Sequence, residues 1–215
     1  MKSRYLICLL LGSAVPAAHA QDHAVGAKIG FLGLGVEYSY SLNDLITIRG
    51  AIYGSTYSFD DTNSGIDYTL DLEFDSLSVG VDFHPTEGPL RLSVGALSND
   101  NGIAAQSNPT QSFDIGGTTY SAADVGTLRA AIGFDSVAPY ASIGWDWSRT
   151  KSFGVSLDLG VISQGSPIVR LSADGPILGD PSFASDIAAE EIELQNSLDD
   201  FDLFPFAALG FMFRF

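Results

Sequence analysis

The chain has 215 residues, with 10 Lys and Arg against 26 Asp and Glu, a formal charge of −16 and a pI near 4.2, yet 46% of it is hydrophobic. So acidic a chain lacks the clustered Lys and Arg that nucleic acid or anionic lipid demands, and its apolar and aromatic content is too high for disorder. No run of 18 or more apolar residues occurs, so no helix of transmembrane length is expected.

Residues 1–20 read as a secretory signal peptide. Lys2 and Arg4 give the positive start, Tyr5 onward gives the apolar stretch, and Ala18-His19-Ala20 gives a small-x-small cleavage site. A domain of residues 21–215 is then expected, beginning at Gln21. With Lys2 and Arg4 removed, 8 of the 10 basic side chains remain against 26 acidic ones, a net charge of −18. Cys8, the only cysteine, leaves with the leader, so no disulfide is expected.

From there the dominant signal has period 2. Leu32, Leu34, Val36, Tyr38 and Tyr40 share one face opposite Gly33, Gly35, Glu37 and Ser39; after a turn at residues 41–44, Ile46, Ile48 and Ile52 resume the apolar face opposite Thr47, Arg49 and Ala51. Leu77, Val79, Val81 and Phe83 oppose Ser78, Gly80 and Asp82, and beyond a turn at residues 85–88, Leu90, Leu92, Val94 and Ala96 oppose Arg91, Ser93 and Gly95. Ala141, Ile143, Trp145 and Trp147 oppose Ser142, Gly144 and Asp146; past residues 148–151, Phe153, Val155, Leu157 and Leu159 oppose Gly154, Ser156 and Asp158. The last run sets Leu209, Phe211, Phe213 and Phe215 against Gly210, Met212 and Arg214. Seven runs are clear. An even barrel needs an eighth, obtained by splitting residues 25–39 near Phe31, where the apolar parity also changes.

Alternation alone does not say whether the apolar face meets lipid or a core. The apolar faces carry no charge, as expected where a cation at the bilayer midplane costs about 2–4 kcal/mol. The polar faces are made of Gly, Ser and isolated charges, suited to a narrow lumen rather than to a soluble surface. Aromatics gather beside the tight turns: Tyr38, Tyr40, Phe83, Trp145, Trp147, Phe153, Phe213 and Phe215 form an expected interfacial girdle. The expected fold is therefore all-β: a transmembrane antiparallel up-and-down barrel of eight strands in the outer membrane, with a soluble lipocalin-type barrel as the alternative.

Short turns belong at the periplasmic end and long acidic segments outside. Those outer segments are residues 60–65, 99–125 and 164–201. The last is expected to hold a short helix over residues 185–199, with Ser185 as its cap, Asp186, Glu190 and Glu191 in its early turns, and Ile187, Leu194 and Leu198 as a thin apolar stripe. Phe74-Asp75-Ser76 is echoed by Phe134-Asp135-Ser136, and the apolar parity changes at both, which reads as a β-bulge. If residues 66–83 form one strand, it extends about 59 Å, well beyond an apolar band about 25 Å tall, so the walls stand proud of the outer leaflet.

The expected lumen holds Glu37, Asp82, Asp146 and Asp158 with Arg49, Arg91 and Arg214. An eight-stranded interior is only wide enough for side chains to fill, so these charges suggest a structural ion-pair plug, the alternative being a stepping path for a polar solute. Asp67, Asp71, Glu73, Asp75 and Asp135 crowd the strand extensions as a cation-attracting rim, with simple loop solubility as the alternative. No spaced Ca²⁺ motif accompanies them, so no metal or cofactor is expected. His23 and His84 lie near the chain start and beside the periplasmic turn, the latter read as interfacial. Neither is placed for a Ser–His pair at the outer leaflet, so the chain is not expected to be an enzyme.

Scattered short patterns carry a family likeness: Val25-Gly26-Ala27-Lys28, Asp67-Tyr68-Thr69-Leu70-Asp71, Asp114-Ile115-Gly116-Gly117-Thr118-Thr119-Tyr120, Val137-Ala138-Pro139-Tyr140, Gly165-Ser166-Pro167, and the acidic tract from Glu190 to Asp200. Through them the chain resembles the small eight-stranded outer-membrane proteins of Gram-negative bacteria, more narrowly the ornithine-uptake, carbapenem-associated porin-like family. That resemblance implies slow passage of small solutes, notably basic amino acids, through a barrel without a wide pore. A monomer set in outer-membrane lipid and lipopolysaccharide is expected. The alternative from another class is a non-conducting structural or interaction barrel.

Overall fold

The computed structural model describes residues 22–63, 66–109, 112–198 and 201–215. The expected signal peptide lies outside them. Eight antiparallel strands close a barrel: β1 (His23–Gly30), β2 (Gly33–Ser41), β3 (Ile46–Asn63), β4 (Ile66–Phe83) and β5 (Leu90–Asn99), then β10 (Val137–Asp146), β11 (Phe153–Ser163) and β13 (Leu203–Arg214). Pairing of β4 with β5, of β5 with β10, and of β13 with both β11 and β1 completes the ring. The eighth strand arises where parity placed it, from a hairpin turning at Phe31-Leu32, with Gly33 at φ +88° supplying the left-handed backbone.

Around the barrel the outward residues are apolar on every strand. Val25, Val36, Ile48, Val79, Val94, Ile143, Val161 and Phe211, one from each stave, are between 38% and 62% exposed. A continuous exposed apolar belt of this kind is suited to lipid and not to water. The start of β1, the C-terminal Phe215 and the short turns share one end, termed the lower end. There His23 stacks on Phe215 and bonds the Tyr38 hydroxyl at 2.7 Å, and Phe213 stacks on Phe215. Tyr38, Tyr40, Phe83, Trp147 and Phe153 are exposed beside these turns, and Trp145 is half-buried there. His84 turns inward instead of lying at the interface: it is 2% exposed, with Nε2 3.3 Å from the Thr47 hydroxyl.

At the upper end the walls continue, as the length of β4 requires. The upper half of β4 pairs with β6 (Gly102–Pro109), β6 with β9 (Leu128–Gly133), and β9 with β12 (Ile168–Ser172), so much of two expected loops is strand. A two-stranded ribbon, β7 (Phe113–Ile115) and β8 (Thr118–Tyr120), the short α1 (Ala122–Val125) and a longer α2 (Pro181–Ser197) cap this sheet. Ile115, Val125 and Phe183 form their small core. α2 begins earlier than Ser185: Asp180 caps it by accepting from the Ser182 N–H at 2.7 Å, Pro181 fills the first position, and Ser185 lies inside the helix.

The expected bulge at residues 74–76 is absent. β3 and β4 keep one register from Ile46↔Phe83 to Asn63↔Ile66, so no residue is inserted. The apolar set changes sides because the environment does: Leu77, Val79 and Val81 face outward on the belt, while above it Leu72 and Phe74 face inward over the upper cavity. At residues 134–136 the expected bulge is absent as well: the register with β5 and β6 runs on unbroken, so the apolar change is again one of environment. The irregularity lies in the facing segment, where six steps from Ile162 to Ile168 meet seven from Tyr140 to Gly133 and the inward parity passes from Ile162 to Val169.

Candidate functional site

Every stave delivers one charged side chain to the lumen. In ring order these are Lys28, Glu37, Arg49, Asp82, Arg91, Asp146, Asp158 and Arg214, four cations and four anions, none more than 5% exposed. Alternation sends them there. Each follows an outward apolar neighbour on its strand, and small residues such as Ser39, Ser78, Ser93 and Ser156 leave space around them.

Six of the eight form one network. The Lys28 ammonium lies 2.6 Å from both Glu37 and Asp158. Arg49 reaches Asp82 at 3.0 Å, Asp158 at 3.3 Å and Glu37 at 3.4 Å. Arg91 lies 2.8 Å from Asp158 and 3.5 Å from Asp82. Asp158 is the hub, contacted by three cations. Its meeting with Arg91 needs Gly144, which is the direct cross-strand partner of both; a Cβ there would stand 2.5 Å from Asp158 Oδ1 and 2.9 Å from Arg91 Nε. Below, Arg214 pairs with Asp146 at 3.1 Å, and Asp146 also accepts from the backbone and hydroxyl of Ser148. The eight charges sum to zero, the condition under which ions so deeply buried persist in a low-dielectric interior.

Above the charges lies an apolar layer. Leu32, at the tip of the first hairpin, tucks inward against Leu97, Ala138 and Ile162, and Tyr53, Tyr140, Phe74, Phe204 and Phe206 pack around them. The Tyr140 ring lies over Gly80 and Gly95, where added Cβ atoms would fall 2.1 Å from its hydroxyl and 2.7 Å from its Cε1. Between the two layers remains a cavity of about 20 Å³, room for a single water.

The seven lumen residues named from the sequence thus come together, and Lys28 joins them. Its signal was available: once the first run is split at Phe31, Gly26, Lys28 and Gly30 fall on the inner parity. Leu32, read with the apolar outer set, belongs to the plug instead.

The expected rim does not converge on the lumen. Asp71, Glu73 and Asp75 alternate with the inward Leu70, Leu72 and Phe74 and so lie on the outer face of the upper wall, where Ser58 donates to Asp71 at 2.5 Å. Asp135 is exposed at the break between β9 and β10, beside Gly165, and the side chain of Asp67 lies outside the described residues.

The helical acids are engaged structurally. Glu191 accepts from the Leu171 N–H at 2.6 Å, Gln195 accepts from the Val169 N–H at 3.4 Å and donates to the Pro167 carbonyl at 2.6 Å, and these contacts occupy the free edge of β12. Glu190 accepts from the Gly116 N–H at 3.0 Å, and Asp186 from the Tyr120 hydroxyl at 2.6 Å. Hydrogen bonds from Tyr120 and Thr118 hold the Asp186 carboxyl below its ordinary range, and the same contact raises Tyr120.

No family model and no curated protein matches the sequence. Among solved structures, the fold is similar to that of CarO from Acinetobacter baumannii, with 22% identity and a TM-score of 0.61 over 91% of this chain and 98% of that one. CarO2 of the same organism gives 20% identity and a TM-score of 0.62, over 90% of this chain and 98% of that one. At these identities the likeness is one of fold.

Proposed function

We propose that the chain is an outer-membrane barrel whose membrane portion is a closed anchor and whose upper sheet and helix make the functional surface outside the cell. The observation that carries this reading is the double closure of the lumen, by a neutral charge network and by the apolar layer around Leu32. Side chains fill the interior of the barrel, leaving only about 20 Å³ between the layers. The exposed belt, the aromatic lower end and the fold shared with CarO support placement in the outer membrane; in this reading the chain sits there as a monomer among lipid and lipopolysaccharide.

A second reading is porin-like slow passage of small solutes, basic amino acids among them. It is favoured by the makeup of the lower lumen: paired charges seldom outperform apolar packing for stability alone, so a column of eight needs a reason. In that reading a cationic solute exchanges partners along Glu37, Asp82 and Asp158 after the Leu32 layer moves.

Reconstitution separates the two. The closed-anchor reading expects no open steps in planar bilayers at any potential, and ornithine and arginine flux into proteoliposomes equal to that of empty liposomes. Flux that saturates, and that falls when Asp158 is replaced by Asn in a variant retaining the folded barrel's gel mobility, overturns it in favour of passage.

A further inference from the structure

Above the Leu32 layer the upper sheet encloses a second cavity, of about 350 Å³. Leu72, Phe74, Ile103 and Ile132 form its wall, and Leu198 and Phe204 come from the far side. Its size falls within the range of small-molecule sites, about 300–1,000 Å³.

Three observations determine what fits there. First, the wall is preformed: Leu72 pairs with Ile103 and Ile103 with Ile132 in unbroken registers, so the sheet holds its shape instead of collapsing onto the space. Second, among the described residues the nearby charges belong to the other face. Glu73 borders the cavity through its place in β4, but it alternates with the inward Leu72 and Phe74, as Arg129 does with its inward neighbours on β9. Third, the polar side chains at the margin are engaged: Asn101 accepts from the Asp75 N–H and donates to Asn99, and Gln164 donates to the Phe201 carbonyl. Among the described residues, then, no counter-charge is aimed at an entering ion, which would face hydrocarbon. Phe201, at the cavity edge, is 59% exposed, leaving an aromatic ring free to fold over an occupant.

We propose that this cavity is a preformed site for a compact, uncharged apolar molecule of about the size of a substituted aromatic ring. The site goes beyond the closed-anchor reading and stands whether or not the lumen conducts, since it lies above the apolar layer.

Thiol protection tests it. Cys8 is the sole native cysteine, so a chain beginning at residue 21 carries only an introduced thiol. Ile132→Cys and, as a second reporter, Ile103→Cys are placed in lipid nanodiscs with 4-phenylbutanol, 4-phenylbutylamine or 4-phenylbutyrate, and the rate of reaction with a small methanethiosulfonate is followed. Val94→Cys, on the lipid belt, controls for partitioning into the bilayer. The expected result is that the alcohol slows labelling at the cavity thiols by about fivefold or more at saturation, that both charged analogues protect less, and that the belt thiol is unaffected. Absence of protection by the alcohol at both cavity thiols, equal slowing at Val94→Cys, or protection by a charged analogue matching that of the alcohol each overturns the proposal.

Discussion

Arg91 and Asp158 meet over the bare Cα of Gly144, their side chains 2.8 Å apart although β10 lies between their strands. The contact shows how a narrow barrel accommodates large ions. A stave that contributes glycine at one level lets its two neighbours bond across it.

Removing the hub is expected to be costly. Asp158→Ala leaves Lys28, Arg49 and Arg91 with one anion fewer in a sealed interior, and breaking such a network costs about 3–5 kcal/mol. Urea titration of the folded, heat-modifiable gel band reads this out. A midpoint unchanged from wild type would mean that the charges are solvated.

Filling the gap is expected to crowd the Arg91–Asp158 contact without removing a charge. Gly144→Val places atoms 2.5 Å from Asp158 Oδ1 without altering any charge, and a loss of about 1–3 kcal/mol follows for overpacking. The same titration applies, with Gly179→Val as a control because nothing lies within 4 Å of a Cβ there.

The edge of β12 depends on α2. Glu191→Ala removes the acceptor of the Leu171 N–H, and hydrogen exchange at that amide is expected to quicken about tenfold, the equivalent of roughly 1.4 kcal/mol, while amides of β1 and β2 keep their rates. Acceleration spread evenly over the barrel would show instead that the helix supports the whole fold.

Acid is expected to loosen the cap before the barrel. The folded-state pKa of Asp186 is depressed by its hydrogen bonds from Tyr120 and Thr118. Its contribution is therefore present above the ordinary carboxylate pKa, near 3.9, and is lost as the pH falls through the lower folded value. Protection of the α2 amides, taken relative to the intrinsic exchange rate at each pH, should fall on acidification below that range, and Tyr120→Phe should flatten the response. A wild-type profile independent of pH would remove Asp186 from the docking of the cap.

How much of this was legible in the sequence depended on whether a signal was local. Residues 66–83 form a strand with the ends that alternation gave them, because apolar and polar residues alternate without interruption on each side of the change in face. At Phe74 alternation alone does not separate a bulge from an exchange of environments, since the two leave the same parity trace. Only the partner's register separates them. Lys28 falls on the inner parity only once each half of residues 25–39 is assigned its own faces, and the helix starts early because Asp180-Pro181 precedes the acidic tract around Ser185. The outward lie of Asp71, Glu73 and Asp75 followed from the parity of Leu72 and Phe74 once those were known to face a cavity. The upper strands β6 and β9 carry an Ala-rich alternation too weak to register against turn residues, and β12 is only five residues long between Pro167 and the turn that follows.

One charge per stave also bears on how the barrel assembles. A slip of one residue between neighbours would carry a cation or an anion to the lipid face, at about 2–4 kcal/mol for an Arg or Lys at midplane, and would leave its partner stranded inside. A stave missing altogether would unbalance the ring. The eight side chains therefore act together as a tally of the finished barrel: only the complete set of staves, each in its correct register, brings the count to zero.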